Sequence, residues 1–317
     1  MIRRLAAPVA IAGVLAPAVP GGGAAAQQTR PAFRSGVDLV ALNVAVTDDR
    51  DQPIGGLGSS DFAVFEDGVP QTIASFASER QPIDLGLLLD TSSSMSFMLD
   101  EVHRAATSFV EALHEGDRVT VIQVRERTEV LHPLSADRAA AISAILRTRA
   151  AGETALFTAI YVTAAGLEAA RSPATPRRQA IAVLSDGRDT SSVVSADDAI
   201  AHARDAGVAV YTITLQPVVR RRAGAAAPAA PALSDALLAM RSLALETGGR
   251  SYVAPDAGAL EGIYASIANE LATQYLIGYV STNTSRDGGF RAVSVSVPSL
   301  PEARARTRRG YRSQRDR

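Results

Sequence analysis

Apolar and polar positions along the chain fall into three successive regimes. Residues 37–47 alternate in the manner of a half-buried strand, and 48–53 read as a turn. Phe62, Val64 and Glu66 keep strand spacing, Asp67-Gly68 is a hairpin signal, and residues 71–76 return as a further strand. From Asp84 the pattern changes. An uncharged run, residues 85–89, does not alternate, which reads as a strand buried on both faces of a parallel sheet. Met98, Val102, Ala105, Ala106, Phe109, Val110 and Leu113 then form one helix face. Strands follow at 118–124 and, as an edge, 129–134; helices at 136–147 and 155–170; and a second buried strand at 178–184. A helix at 196–206 and a strand at 208–215 continue the alternation, and helices at 233–247 and 259–271 flank a short strand around Tyr252. Strand and helix alternating in this way predict an α/β fold with a doubly wound, mostly parallel sheet and right-handed crossovers. Beyond 275 the strand-like alternation returns at 275–280, 290–297 and 303–311, with Asp287-Gly288 as a turn. Neither terminal set is large enough to be stable alone. They are therefore expected to pair as one small antiparallel β domain built from both chain ends.

Composition narrows the function classes. With 47% hydrophobic residues among 317 the chain can bury a full core, and a formal charge of −1 gives no case for nucleic acid. There is no cysteine, which excludes disulfides and thiolate metal sites, and no lysine, so arginine carries all the fixed positive charge. Arg3 and Arg4, the short proline-broken apolar stretch 5–19 and the small residues Ala24-Ala25-Ala26 read as a signal peptide. Cleavage near Ala26 takes the formal charge to −3, leaves no transmembrane segment in the mature chain, and implies a secreted or periplasmic protein. Residues 216–231, with Arg220-Arg221-Arg222 and an alanine-proline tract, read as a mobile insertion.

The candidate chemistry lies where the first buried strand ends. Asp90, Ser92 and Ser94 stand in the spacing Asp-x-Ser-x-Ser, beyond the carboxyl end of a parallel strand, where such sheets place ligands. Thr154 precedes a helix in a loop expected on the same edge, and Asp186 follows the strand expected beside the first. These are hard oxygen donors of the kind that suit a small divalent cation, Mg²⁺ or Mn²⁺. Enzyme motifs are missing. Ser92 stands where a phosphatase aspartate motif wants a second acid, and there is neither a Gly-x-Ser-x-Gly elbow nor a phosphate loop. His103, His114, His132 and His202 are scattered.

Asp90-Thr91-Ser92-Ser93-Ser94-Met95, residues 152–156 and Leu184-Ser185-Asp186-Gly187 together resemble a von Willebrand factor type A domain, a Rossmann-like fold, and its metal-ion-dependent adhesion site. Residues 61–68, Tyr275-Leu276-Ile277-Gly278-Tyr279 and Arg308-Arg309-Gly310-Tyr311 resemble a bacterial secreted subfamily of acidobacterial type. Ser93 and Glu153 depart from that pattern, which often has glycine at both. The resemblance implies that Ser92 and Ser94 coordinate Mg²⁺ (or Mn²⁺) directly and that Thr154 does so directly or through water. Asp90 and Asp186 then act directly or as acceptors that orient waters. Neutral hydroxyls leave most of the cation's charge uncompensated, so an open position favours an incoming carboxylate.

The expected function is thus a non-enzymatic, adhesion-type module that captures a protein partner presenting an exposed Asp or Glu. Ser96, Phe97, Glu153 and Arg188 are expected on the partner-contacting loops. The expected organisation is a signal peptide at 1–26, a tether at 27–35, β-domain parts at 36–80 and 275–312, the α/β domain at 83–274 and a tail at 313–317. A metal-independent scaffold of an envelope assembly is the alternative, and a divalent-metal hydrolase a third class for which no general base is apparent.

Overall fold

The computed structural model describes residues 39–172, 174–215 and 235–315. The expected signal peptide and tether, and the insertion at 216–231, lie outside the described residues. The first strand, β1 (Leu39–Thr47), is followed by β2 (Ala63–Glu66), β3 (Val69–Gln71) and β4 (Ile73–Ala77). Then come β5 (Ile83–Asp90), α1 (Leu99–Glu111), β6 (Arg118–Val124), β7 (Glu129–Ser135), α2 (Arg138–Arg147) and α3 (Leu156–Ala169). The next elements are β8 (Arg178–Ser185), α4 (Ala196–Asp205), β9 (Ala209–Leu215), α5 (Asp235–Thr247), β10 (Ser251–Ala254) and α6 (Leu260–Thr273). The last are β11 (Tyr275–Val280), β12 (Phe290–Ser296), β13 (Arg304–Arg306) and β14 (Gly310–Arg312).

The central sheet runs β10-β9-β8-β5-β6-β7, parallel except for β7, which pairs antiparallel with β6. Every residue of β5, β8 and β9 is buried, as expected for the first two of these strands. One face of the sheet packs on α1, α2 and α6, the other on α3, α4 and α5. The chain leaves β5 for β6 on one side and β8 lies on the other, so β5 stands at the topological switch point. Gly86 lets α3 approach the middle of β5. A Cβ there would meet Thr163 Cγ2 at 2.6 Å.

The chain ends do pair, as two four-stranded antiparallel sheets. Their orders are β13-β1-β11-β4 and β14-β12-β2-β3, and Val40, Leu42, Phe62, Val64, Ile277 and Val293 share one core between them. Residues 71–76, expected as one strand, are split between β3 and β4 in different sheets. Residues 303–311 are likewise divided between β13 and β14. Alternation marks extended backbone but carries no record of which sheet a strand joins. The sequence also gives no sign of what Glu66 does. It is buried, and its carboxylate accepts hydrogen bonds from the hydroxyls of Tyr279 (2.7 Å), Tyr311 (2.8 Å) and Ser281 (2.5 Å). Among the described residues no helix is long and apolar enough to cross a membrane.

Candidate metal centre

Three loops meet at the carboxyl end of β5. The first begins at Asp90, which is fully buried. Its Oδ1 accepts the Ser92 N–H at 2.9 Å and its Oδ2 accepts the Ser185 hydroxyl at 2.6 Å. Burial pushes the Asp90 carboxyl above its ordinary value; the hydrogen bonds from Ser185 and Ser92 oppose that rise, and the charge of nearby Asp186 adds to it. Ser92 is buried and Ser94 exposed, with their Oγ atoms 3.0 Å apart. A short 3₁₀ turn, Ser93–Met98, follows; its Met95 is buried in the core, while Ser96 and Phe97 face solvent.

The second loop carries Thr154, which is buried. Gly152 takes φ +77°, a left-handed conformation that suits glycine, and its carbonyl accepts both the N–H (3.1 Å) and the hydroxyl (3.2 Å) of Ser93. The Ala151 N–H reaches the Thr91 carbonyl at 2.8 Å, and Ala155 N–H the Arg125 carbonyl at 3.0 Å. Glu126, on the β6–β7 connection, accepts the Glu153 N–H at 3.3 Å. The Thr154 loop is thus stitched to the Asp-x-Ser-x-Ser loop on one side and to the end of β6 on the other.

The third loop follows β8. Asp186 is half-buried and its Oδ1 accepts the Arg188 N–H at 3.0 Å; Arg188 itself is exposed. Residues 189–194 then act as a strap over the start of α3. The Thr154 carbonyl accepts the N–H groups of Thr190 (2.9 Å) and Ser191 (3.0 Å), and its N–H donates to Thr190 Oγ1 at 3.1 Å. Asp189 Oδ1 accepts the Leu156 N–H at 2.7 Å, and Ser192 Oγ accepts the Thr158 N–H at 3.0 Å. N-terminal helix donors ordinarily capped by the residues just before them are here capped from the Asp186 loop.

Asp90, Ser92 and Ser94 are joined by hydrogen bonds, Asp186 is near enough for its charge to act on Asp90, and the Thr154 loop is tied to the serine loop through Gly152. Ser96, Phe97, Glu153 and Arg188 are exposed on the same three loops. Sequence reasoning missed Ser185 and residues 189–192. A polar residue closing an otherwise apolar strand was the signal for Ser185, and the run Asp189-Thr190-Ser191-Ser192, all cap-forming types, was the signal for the strap.

The donor set fits a divalent cation. Ser92 Oγ and Ser94 Oγ, hydrogen-bonded to each other at 3.0 Å, lie close enough for one small divalent cation to be held by both. Asp90 and Asp186 supply negative charge, and among the described residues no arginine or histidine pairs with either. No three His, Asp or Glu side chains gather as a metal site among the described residues.

Residues 84–265, more than half of the chain, match the family described as the von Willebrand factor type A domain. No curated protein matches the chain. Among solved structures it is similar to a von Willebrand factor type A protein from Catenulispora acidiphila, at 14% identity and a TM-score of 0.49, covering 90% of this chain and 76% of that one. It is also similar to an aerotolerance-related membrane protein from Bacteroides fragilis, at 19% identity and a TM-score of 0.46, covering 60% and 98%. A third is proximal thread matrix protein 1 from the mussel byssus, with a zinc-occupied MIDAS motif, at 16% identity, a TM-score of 0.46 and coverages of 64% and 48%.

Proposed function

The chain belongs to the von Willebrand factor type A domain family, and from that premise we propose that it is a metal-ion-dependent, adhesion-type protein-binding module. Ser92, Ser94 and Thr154 would hold Mg²⁺ or Mn²⁺, with Asp90 and Asp186 completing the set. The observation that carries this reading is the pair of serine hydroxyls 3.0 Å apart above a buried aspartate that has no cationic partner among the described residues. Both Asp90 oxygens are already engaged, by the Ser92 N–H and the Ser185 hydroxyl. Its role is therefore to supply charge and fix the serine loop, while the neutral hydroxyls face the ion. A bound cation supplies an electrophilic position for a carboxylate. Ser96, Phe97, Glu153 and Arg188 border that position, and Arg188 steers an approaching Asp or Glu toward it.

The reading includes export: residues 1–26 are a signal peptide, and the mature chain is secreted or periplasmic, in a bacterial subfamily of acidobacterial type. Residues 83–274 are its binding domain, and 36–80 with 275–312 its β domain. Calorimetric titration with Mn²⁺ is the test. The wild type is expected to bind the ion, and Asp90→Ala and Ser92→Ala to lose it. Equal binding by all three would remove the assignment. Thr154→Ala and Asp186→Ala are expected to abolish partner capture without unfolding the chain, and chelation by EDTA to reproduce their effect.

A further inference from the structure

Val193 and Phe97 are the two most exposed large apolar side chains among the described residues, at 90% and 65%; the next, Val130, reaches 55%. Both stand on loops of the candidate metal centre. Phe97 lies three residues after Ser94, and Val193 belongs to the strap whose Thr190 and Ser191 hold Thr154. A single exposed apolar side chain is ordinary. That the two extremes among the described residues fall on two loops of the same candidate site is not explained that way.

Neither residue owes its exposure to a loose backbone. The Val193 N–H donates to Thr158 Oγ1 at 3.0 Å, and the preceding Ser192 hydroxyl donates to Asp189 Oδ1 at 2.7 Å and accepts the Thr158 N–H at 3.0 Å. Phe97 rides on a 3₁₀ turn pinned by Met95, which is wholly buried, and by the two hydrogen bonds from Ser93 to the Gly152 carbonyl. Each side chain is thus presented to solvent by an ordered backbone, the arrangement that lowers the entropic cost of binding at an anchor residue.

We infer that Phe97 and Val193 are apolar anchors for the partner, which is a protein segment carrying an Asp or Glu flanked by large apolar side chains. The inference rests on the reading of the site as cation-dependent. Charge complementarity sets the centre of the contact, where the carboxylate meets the cation site and the exposed Arg188. The apolar flanks then cover Phe97 and Val193, and burying such side chains adds affinity that the carboxylate alone does not supply.

The test uses random peptides displayed on phage and selected on the wild-type chain in Mg²⁺. Enriched sequences are expected to hold an acid with a large apolar residue close by. For a synthetic peptide of such a sequence, Phe97→Ser and Val193→Ser are each expected to weaken binding about tenfold, with unchanged circular dichroism and unchanged Mn²⁺ affinity. Acidic peptides with no apolar flank, or affinities untouched by both substitutions, would overturn the inference while leaving the metal site intact. Apolar peptides lacking an acid and bound equally in EDTA would overturn the cation reading and the carboxylate with it, not the apolar pair. Self-association of the wild type that disappears in the double variant would show that a second copy is the occupant, and would also overturn the inference.

Discussion

The central strand β5 has a buried aspartate near each end, and the protein treats the two in opposite ways. Asp84, at the amino end, is neutralised by the chain itself. Arg118 reaches it through Nε (2.8 Å) and Nη2 (2.6 Å), and Arg177 Nε through 2.5 Å. Next to it the buried Asp117 is paired with Arg80 at 2.5 Å and accepts the N–H groups of Ile83 and His114, each at 2.9 Å. Asp90, at the carboxyl end, receives only neutral donors among the described residues, and the charge that acts on it is that of another acid, Asp186. A buried carboxylate left in that state disfavours its own ionisation. The amino end is a lock made from the chain's own charges. The carboxyl end keeps two acids near each other with only neutral hydrogen-bond donors on Asp90.

Removing the paired aspartate should have the largest effect. Asp84→Ala leaves two partly buried guanidinium groups without a counter-charge, and a loss of about 3 kcal/mol is expected, at the low end for a buried pair because both arginines keep some contact with water. Urea denaturation in EDTA measures it. Asp90→Asn, under the same conditions, is expected to cost nothing or to stabilise. A loss equal to that of Asp84→Ala would erase the contrast between the two ends.

The next effect concerns the cation. Mg²⁺ or Mn²⁺ at about one hundred times its Kd should stabilise the wild type by about 2.7 kcal/mol, raising its thermal midpoint, and Asp90→Asn should show no such gain. Asp84→Asn should retain it from a lower starting midpoint, since that residue lies at the other end of the sheet.

Ser185→Ala should come third. It removes the donor to Asp90 Oδ2 and the acceptor for the Gly187 N–H (3.0 Å), and a loss of about 1–2 kcal/mol is expected, with weaker Mn²⁺ binding. Stability unchanged in this variant would mean that the serine does not hold the two strand ends together.

The smallest effect is pH-dependent. His103 on α1 meets Thr148 Oγ1 at 2.6 Å beside the Thr154 loop, and burial holds its pKa below the ordinary value. A histidine depressed in the folded state binds fewer protons than its unfolded counterpart. Its contribution is therefore complete above about pH 6.5 and is lost as pH falls from there through the folded value. Thermal midpoints should drop between neutrality and mild acid, and His103→Gln should flatten part of that drop. His132, which burial shifts in the same direction, should account for some of the remainder.

The sequence by itself determined whatever is local. The uncharged run into Asp90, the Asp-x-Ser-x-Ser spacing and the order of strands and helices were legible because burial on both faces of a strand, or on one face of a helix, fixes a repeat within a few residues. The same reading located Thr154 and Asp186 at loop positions, because a parallel sheet presents its carboxyl ends together. The tertiary structure decided everything that joins distant segments. Residues 71–76 and 303–311 each read as one strand-like stretch, yet each serves two sheets. Glu66 keeps strand spacing like its neighbours, and only the approach of Tyr279 and Tyr311 makes it the polar centre of the β sandwich. The strap at 189–194 caps a helix more than thirty residues earlier, from Asp189 to Leu156. Asp84 and Asp90 look alike in a strand pattern. Their difference lies in which side chains other strands and loops deliver to them, and no repeat along a single segment encodes that, because side-chain partners are set by three-dimensional packing and not by the period of the backbone.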